Sequence, residues 1–172
     1  MVTLQNISRE DVCALFPPLP PRTNKGDMGR VLCVCGSYDG QGLSMCGAAY
    51  FSALAAYRSG AGIVEIFTAR KNYEALASRL PEAVYSLYDP EKEETADICS
   101  RLCEEIKKAD SVVLGCGLGR SSAAAEIVKP VLSCAYVPLV IDADGLNIVS
   151  ESPELWSLLS AEQKARTVIT PH

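Results

Sequence analysis

Six short runs, each bounded by turn residues and separated by helix-length stretches, constrain this chain more than any other feature. They lie at 31–35, 63–67, 83–87, 111–114, 139–141 and 168–169. The run Val31-Leu32-Cys33-Val34-Cys35 is continuously apolar, the pattern of a strand buried on both faces. Burial on both faces requires helices above and below, and the intervening segments supply them. Helices are expected over 43–59, 73–79, 91–108 and 122–135, the last bent or interrupted at Pro130, with short helices around Leu146 and Trp156. The stretch between the first two runs is rich in Ala and Gly, so it lies close against a sheet, and Gly60-Ala61-Gly62 ends it. Strand, helix and strand in this order form a right-handed crossover unit. The expected fold is α/β, three layers with a mostly parallel sheet.

Ahead of this alternation, residues 1–24 read as a leader helix near 8–15 and a proline-rich arm, Pro17-Pro18-Leu19-Pro20-Pro21, which cannot continue a helix. Residues 25–172 are expected to form the α/β domain. The net charge of −5 excludes a dominant nucleic-acid footprint, which needs a basic patch. Residues 1–11 lack the pattern of a signal peptide, and no apolar run approaches the ~18 residues of a membrane span. A cytoplasmic protein without membrane contact is expected.

Eight cysteines raise the question of metal or disulfides. Cys33 and Cys35 point the same way from one strand, while Cys99 and Cys103 stand at helical ligand spacing. There is no CxxC, and His172 is the sole histidine, so reduced cysteines and no metal site are expected.

Ligands of open parallel sheets bind beyond the carboxyl ends of the strands. Those ends collect half of the twelve glycines, together with isolated polar residues: Gly36-Ser37-Tyr38-Asp39-Gly40, Thr68, Gly115-Cys116-Gly117-Leu118-Gly119, Asp142-Ala143-Asp144-Gly145 and Thr170-Pro171-His172. Each motif alone is weak. Gly115, Gly117 and Gly119 lack the Gly-x-Gly-x-x-Gly spacing, and suit either a tight turn or backbone amides offered to a phosphate. Asp142 and Asp144 suit either Mg²⁺ held through water or bracing of the next helix. Lys25-Gly26-Asp27-Met28-Gly29-Arg30 enters the opposite end of its strand and reads as structural.

Six ordered blocks carry a resemblance. They are Lys25-Gly26-x-x-Gly29-Arg30-Val31-Leu32 with Gly36-Ser37 and Ala55-x-x-Arg58-Ser59-Gly60-Ala61-Gly62-Ile63-Val64, then Leu80-Pro81-Glu82-Ala83, and Gly115-x-Gly117-Leu118-Gly119. Ile141-Asp142-Ala143-Asp144-Gly145-Leu146-Asn147 and Thr170-Pro171-His172 complete them. From Lys25 to His172 the chain resembles the ADP-dependent NAD(P)H-hydrate dehydratases, a ribokinase-like family often labelled carbohydrate kinases.

The resemblance implies repair of hydrated NADH and NADPH. ADP, or ATP in eukaryotic relatives, with Mg²⁺ phosphorylates the ring hydroxyl, and phosphate is then eliminated. It also implies substrate contacts at Leu43, Gly117 and His172, with Gly36, Ser37, Gly115, Gly119, Asp142 and Asp144 in the surrounding cleft. Two positions depart from the family pattern: Leu43 stands where Ala is usual, and Cys116 where Pro is usual. The family's later Gly-Thr-Gly-Asp segment, with its catalytic aspartate and phosphate-binding helix, is not among these residues. The chain therefore reads as the substrate side of a larger enzyme, inactive alone, with the remainder truncated or present as a separate segment. A homo-oligomer is expected. Another ribokinase-like small-molecule kinase, or a non-catalytic nucleotide-binding fragment, are the alternatives.

Overall fold

The computed structural model describes residues 6–16 and 18–171. A leader helix, α1 (Arg9–Ala14), opens with a capping box in which Ser8 and Asp11 satisfy each other's backbone. The domain then runs β1 (Arg30–Val34), α2 (Cys46–Arg58), β2 (Ile63–Ala69), α3 (Tyr73–Ala77), β3 (Val84–Tyr88), α4 (Thr95–Ile106) and β4 (Ser111–Leu114). It continues through α5 (Ser122–Cys134), β5 (Leu139–Asp142), α6 (Ala143–Glu151), α7 (Ala161–Ala165) and β6 (Thr167–Thr170). No helix among the described residues is long and apolar enough to cross a membrane.

The six strands form one sheet in the order β3-β2-β1-β4-β5-β6, and every pairing is parallel. Alternate residues feed opposite faces. Leu32, Val34, Phe67, Val112, Leu114, Leu139 and Ile141 meet α4, α5 and α6 on one face. Cys33, Cys35, Val64 and Ile66 meet α2 and α3 on the other. The small residues Ala49 and Ala53 are the fully buried ones on α2, which lets its backbone approach the sheet. Cover on this second face thins towards β6. Cys33, Val113, Val140 and Val168 are aligned in register across β1, β4, β5 and β6, yet Cys33 is fully buried and Val168 is 56% exposed.

At the amino ends of the strands the contacts are ionic. The Asp110 carboxylate accepts the Arg30 amide at 2.7 Å, and the Arg30 guanidinium pairs with Glu65, which is almost wholly buried on β2. The Lys25–Arg30 turn packs beneath this rim, far from the carboxyl ends.

The structure moves three sequence expectations. α2 begins at Cys46 rather than Leu43, because the Asp39 carboxylate captures the amides of Gln41 and Leu43 and holds them in a loop. α4 begins at Thr95 rather than Glu91, because the Asp89 carbonyl accepts the amides of Lys92 and Glu93 in a separate turn. α5 continues through Pro130 without interruption. Proline there removes the donor that would reach the Glu126 carbonyl, and the Cys99 thiol of α4 donates to that carbonyl instead, at 3.5 Å. The short helix α7 had no counterpart in the sequence reading.

Candidate functional site

The strand order places β2 and β3 on one side of β1 and β4, β5 and β6 on the other. Loops leaving the carboxyl ends of β1 and β4 therefore part company, which is where open parallel sheets make their crevices. Two backbone bonds pin the loops at their roots. The Gly115 amide donates to the Val34 carbonyl at 3.1 Å, and the Gly36 amide to the Cys116 carbonyl at 3.0 Å.

Two glycines in the β4 exit are required by space. A Cβ on Gly115 would overlap the Asp142 carbonyl, so only glycine lets this loop cross the exit of β5. Gly117 has φ +64°, and a Cβ there would stand 2.7 Å from the Ala48 Cβ and 3.0 Å from the Met45 Cβ. The loop is thus pressed against the first turn of α2. Met45, at the N-cap, gives that helix no side-chain cap; the Cys46 amide turns instead to Ser44 Oγ at 3.4 Å and the Ala48 amide to the Met45 carbonyl at 3.2 Å.

A cavity of about 310 Å³ opens beside this contact and gathers Ser37, Leu43, Gly119 and Asp144. Leu43 is 57% exposed at its mouth, on the loop held by Asp39. The same backbone hydrogen bonds, from Gln41 first and then Leu43, hold the Asp39 carboxyl below its ordinary pKa. Asp144 Oδ2 accepts the Gly119 amide at 2.8 Å, which braces the glycine loop. Asp142 occupies the N-cap of α6 without capping it, and its Oδ2 accepts the Cys116 thiol at 3.4 Å. Ala143, next in line, has φ +45°, the left-handed conformation that costs an alanine ~1–2 kcal/mol. The turn from β5 into α6 is therefore tight.

Cys116 sits between Asp142 and the β1 thiols. A hydrogen bond from Cys35 lowers its pKa most, opposed by burial and helped by Ser52. Cys35 moves well upward in return, through that same bond and then its own burial. Burial pushes Cys33 up to about 12.

Gly36 is buried rather than lining the crevice, and its carbonyl accepts the Thr68 hydroxyl at 2.9 Å. Behind it stands Asn72, a residue absent from the sequence expectations. Its Nδ2 donates to Thr68 Oγ1 at 3.0 Å and to the Ser37 carbonyl at 3.3 Å, while its Oδ1 accepts the Ser44 hydroxyl at 2.8 Å. One fully buried amide thus joins the start and the return of the β1 loop to the end of β2. No spacing rule marks an asparagine following Arg70-Lys71 as such an anchor.

His172 lies outside the described residues. Thr170 and Pro171, just before it, line a separate cavity of about 400 Å³ with Ala143 and Asn147. Among the described residues no group of three or more His, Cys, Asp or Glu side chains is placed to hold a metal ion.

Comparison with known proteins adds a family. The carbohydrate-kinase family model described as NAD(P)H-hydrate dehydratase matches residues 31–172. The ADP-dependent (S)-NAD(P)H-hydrate dehydratase of Listeria monocytogenes is 32% identical over 171 residues, covering 98% of this chain and 55% of that protein. A ribokinase-like superfamily protein from Enterococcus faecalis superposes with a TM-score of 0.70 at 28% identity, over 90% of this chain and 49% of that one. The ADP/ATP-dependent NAD(P)H-hydrate dehydratase of Bacillus subtilis, co-crystallized with ATP/Mg²⁺, gives a TM-score of 0.63 at 29% identity, over 81% of this chain and 46% of its own. The chain spans about half the length of these proteins.

Proposed function

This chain belongs to the NAD(P)H-hydrate dehydratase family, and from that premise we propose that it carries the substrate side of an enzyme repairing hydrated NADH and NADPH. The observation that carries the reading is the meeting of the Gly36 and Gly115–Gly119 loops over the first turn of α2. The Gly36, Gly115, Leu118 and Gly119 amides are spent within the fold, which leaves the Gly117 peptide, bare of a side chain, to hold a polar ring edge close to the backbone.

In this reading the Gly117 peptide and Leu43 border the hydrated nicotinamide, and His172, outside the described residues, is a further substrate contact. Asp144 is a positioning residue, acting through the Gly119 amide. Ser37 and Gly119 border the cavity, whereas Gly36, Gly115 and Asp142 set the loop geometry. The reaction transfers the terminal phosphoryl of ADP or ATP to the ring hydroxyl. Phosphate then departs with the carbon–oxygen bonding pair, a proton leaves the neighbouring ring carbon, and the double bond of the reduced cofactor is restored.

The described residues do not build a protein-held Mg²⁺ site: Asp144 is committed to the Gly119 amide and Asp142 accepts the Cys116 thiol. A magnesium ion would arrive with the nucleotide phosphates.

Amide exchange measured on this chain with and without NADPH tests the assignment. Slowed exchange at 36–37 and 115–119 is the expected result. Slowing confined to Lys25 and the proline arm would overturn it.

A further inference from the structure

Three of the eight cysteines meet where α4 packs on α5, and two of them face each other. Cys99 and Cys103 stand one turn apart on the side of α4 that is turned to α5. The Cys99 thiol is spent on the Glu126 carbonyl, the acceptor that Pro130 leaves open. Cys103, in the last turn of α4, brings its Sγ to 2.7 Å from that of Cys134, the final residue of α5. Both thiols are free and half-buried, within reach of a dissolved reagent, whereas Cys33 and Cys35 are wholly buried. The backbone under each sulfur is held in place by core residues, Leu102 and Ile106 beside Cys103, and Val131 and Leu132 beside Cys134.

We propose that Cys103 and Cys134 are a redox modification site, at which a small disulfide such as oxidised glutathione converts the two thiols to an intramolecular disulfide that fastens α4 to α5. The Cys134 thiol gives its proton to water, and its sulfur bonds to one sulfur of the oxidant. The other sulfur of the oxidant leaves as a thiolate and takes up a proton. The Cys103 sulfur then bonds to the Cys134 sulfur, releases its own proton and expels the second thiolate. Two protein thiols are oxidised by two electrons, and one small disulfide is reduced to two thiols. Burial, and then the bond to Cys134, push the Cys103 thiol up to about 12, so it keeps its proton near neutrality and acts second.

The two cysteines are 31 residues apart in sequence, and between them lie β4, the 115–119 glycine loop and nearly all of α5. The bond closes this segment into a covalent ring, which restricts the unfolded chain far more than the folded one. Oxidation thus ties down the stretch of chain that carries the glycine crevice. The proposal stands independently of the dehydratase reading, since it rests on the packing of two helices.

The experiment is incubation of the reduced chain with excess oxidised glutathione, followed by mass spectrometry of a digest prepared without reductant and by thermal unfolding. One expected result is a pair of peptides joined through Cys103 and Cys134, lighter by two hydrogens than its separate parts. The other is a thermal midpoint raised by about 10 °C and restored by dithiothreitol. Cys134→Ser should show neither. The reduced chain is the reference for the oxidised one, so the result holds even where the variant folds poorly. Both thiols left unmodified, glutathione retained singly on either, or either one joined to Cys99 would overturn the proposal. A joined pair with an unchanged midpoint, or an equal rise in Cys134→Ser, would overturn it as well.

Discussion

Asn72 is fully buried with both ends of its amide engaged, and its partners belong to three different segments. Replacing it by alanine removes the donor to the buried Thr68 oxygen and to the half-buried Ser37 carbonyl, while the Thr68 hydroxyl keeps its bond to the Gly36 carbonyl and the exposed Ser44 hydroxyl turns to water. Leaving buried polar groups unsatisfied costs ~1–3 kcal/mol. Asn72→Ala is therefore expected to lower unfolding free energy by about 2 kcal/mol, seen as an earlier urea midpoint with an unchanged slope. An unchanged midpoint would mean the network contributes nothing net. The Gly36–Ser37 turn was readable in the sequence because glycine and serine after a buried strand mark a loop. Its anchor was not, because an asparagine's partners lie far along the chain, here 28 and 35 residues away. Cys116 shows the same limit. The sequence marked its departure from the family's proline, but only the fold sets its thiol between Cys35 and Asp142.

Among the elements, β2 carries an unusual cargo for a central strand. Glu65 is buried beside Arg30, and burial raises its carboxyl pKa more than the guanidinium and its hydrogen bond lower it. A carboxyl with a raised pKa holds its proton longer in the folded state than in the unfolded chain. Its contribution to stability is thus fully present below the unfolded value near 4.5 and is lost as pH rises through the folded one. Glu65→Gln removes that titration, so the variant should gain stability relative to the parent between acid and neutral pH. Urea unfolding of both proteins across that range checks this, and a constant or opposite difference would show that the Arg30 pairing outweighs desolvation. Elements of this kind were legible because apolar strands and Ala-rich helices have different periods. Their starts were less so. At 43–46 and 91–95 local capture of backbone amides, by the Asp39 side chain and the Asp89 carbonyl, overrides helical propensity. The uninterrupted α5 was hidden for a related reason, since the thiol that relieves Pro130 belongs to another helix.

On the scale of the whole molecule, the chain matches about half the length of its relatives, and the cover over the α2 face of the sheet declines towards β6. Binding and turnover are therefore expected to separate. This chain should bind NADPH, yet with ADP, Mg²⁺ and hydrated NADH it should not restore the absorbance of NADH. Clear turnover by this chain would place the catalytic machinery within these residues. The strand order carries a practical corollary. The first three strands in sequence are also contiguous in space, as are the last three, so the sheet has a single seam, between β1 and β4. The exposed turn ahead of α4 is the link in the sequence between the two halves. Severed there and co-expressed, the polypeptide becomes a two-piece complementation system, whose fragments find each other through the bare edges of β1 and β4 and the apolar side of α4. Because the glycine crevice lies on that same seam, a bound dinucleotide would act as the glue that reports their reunion.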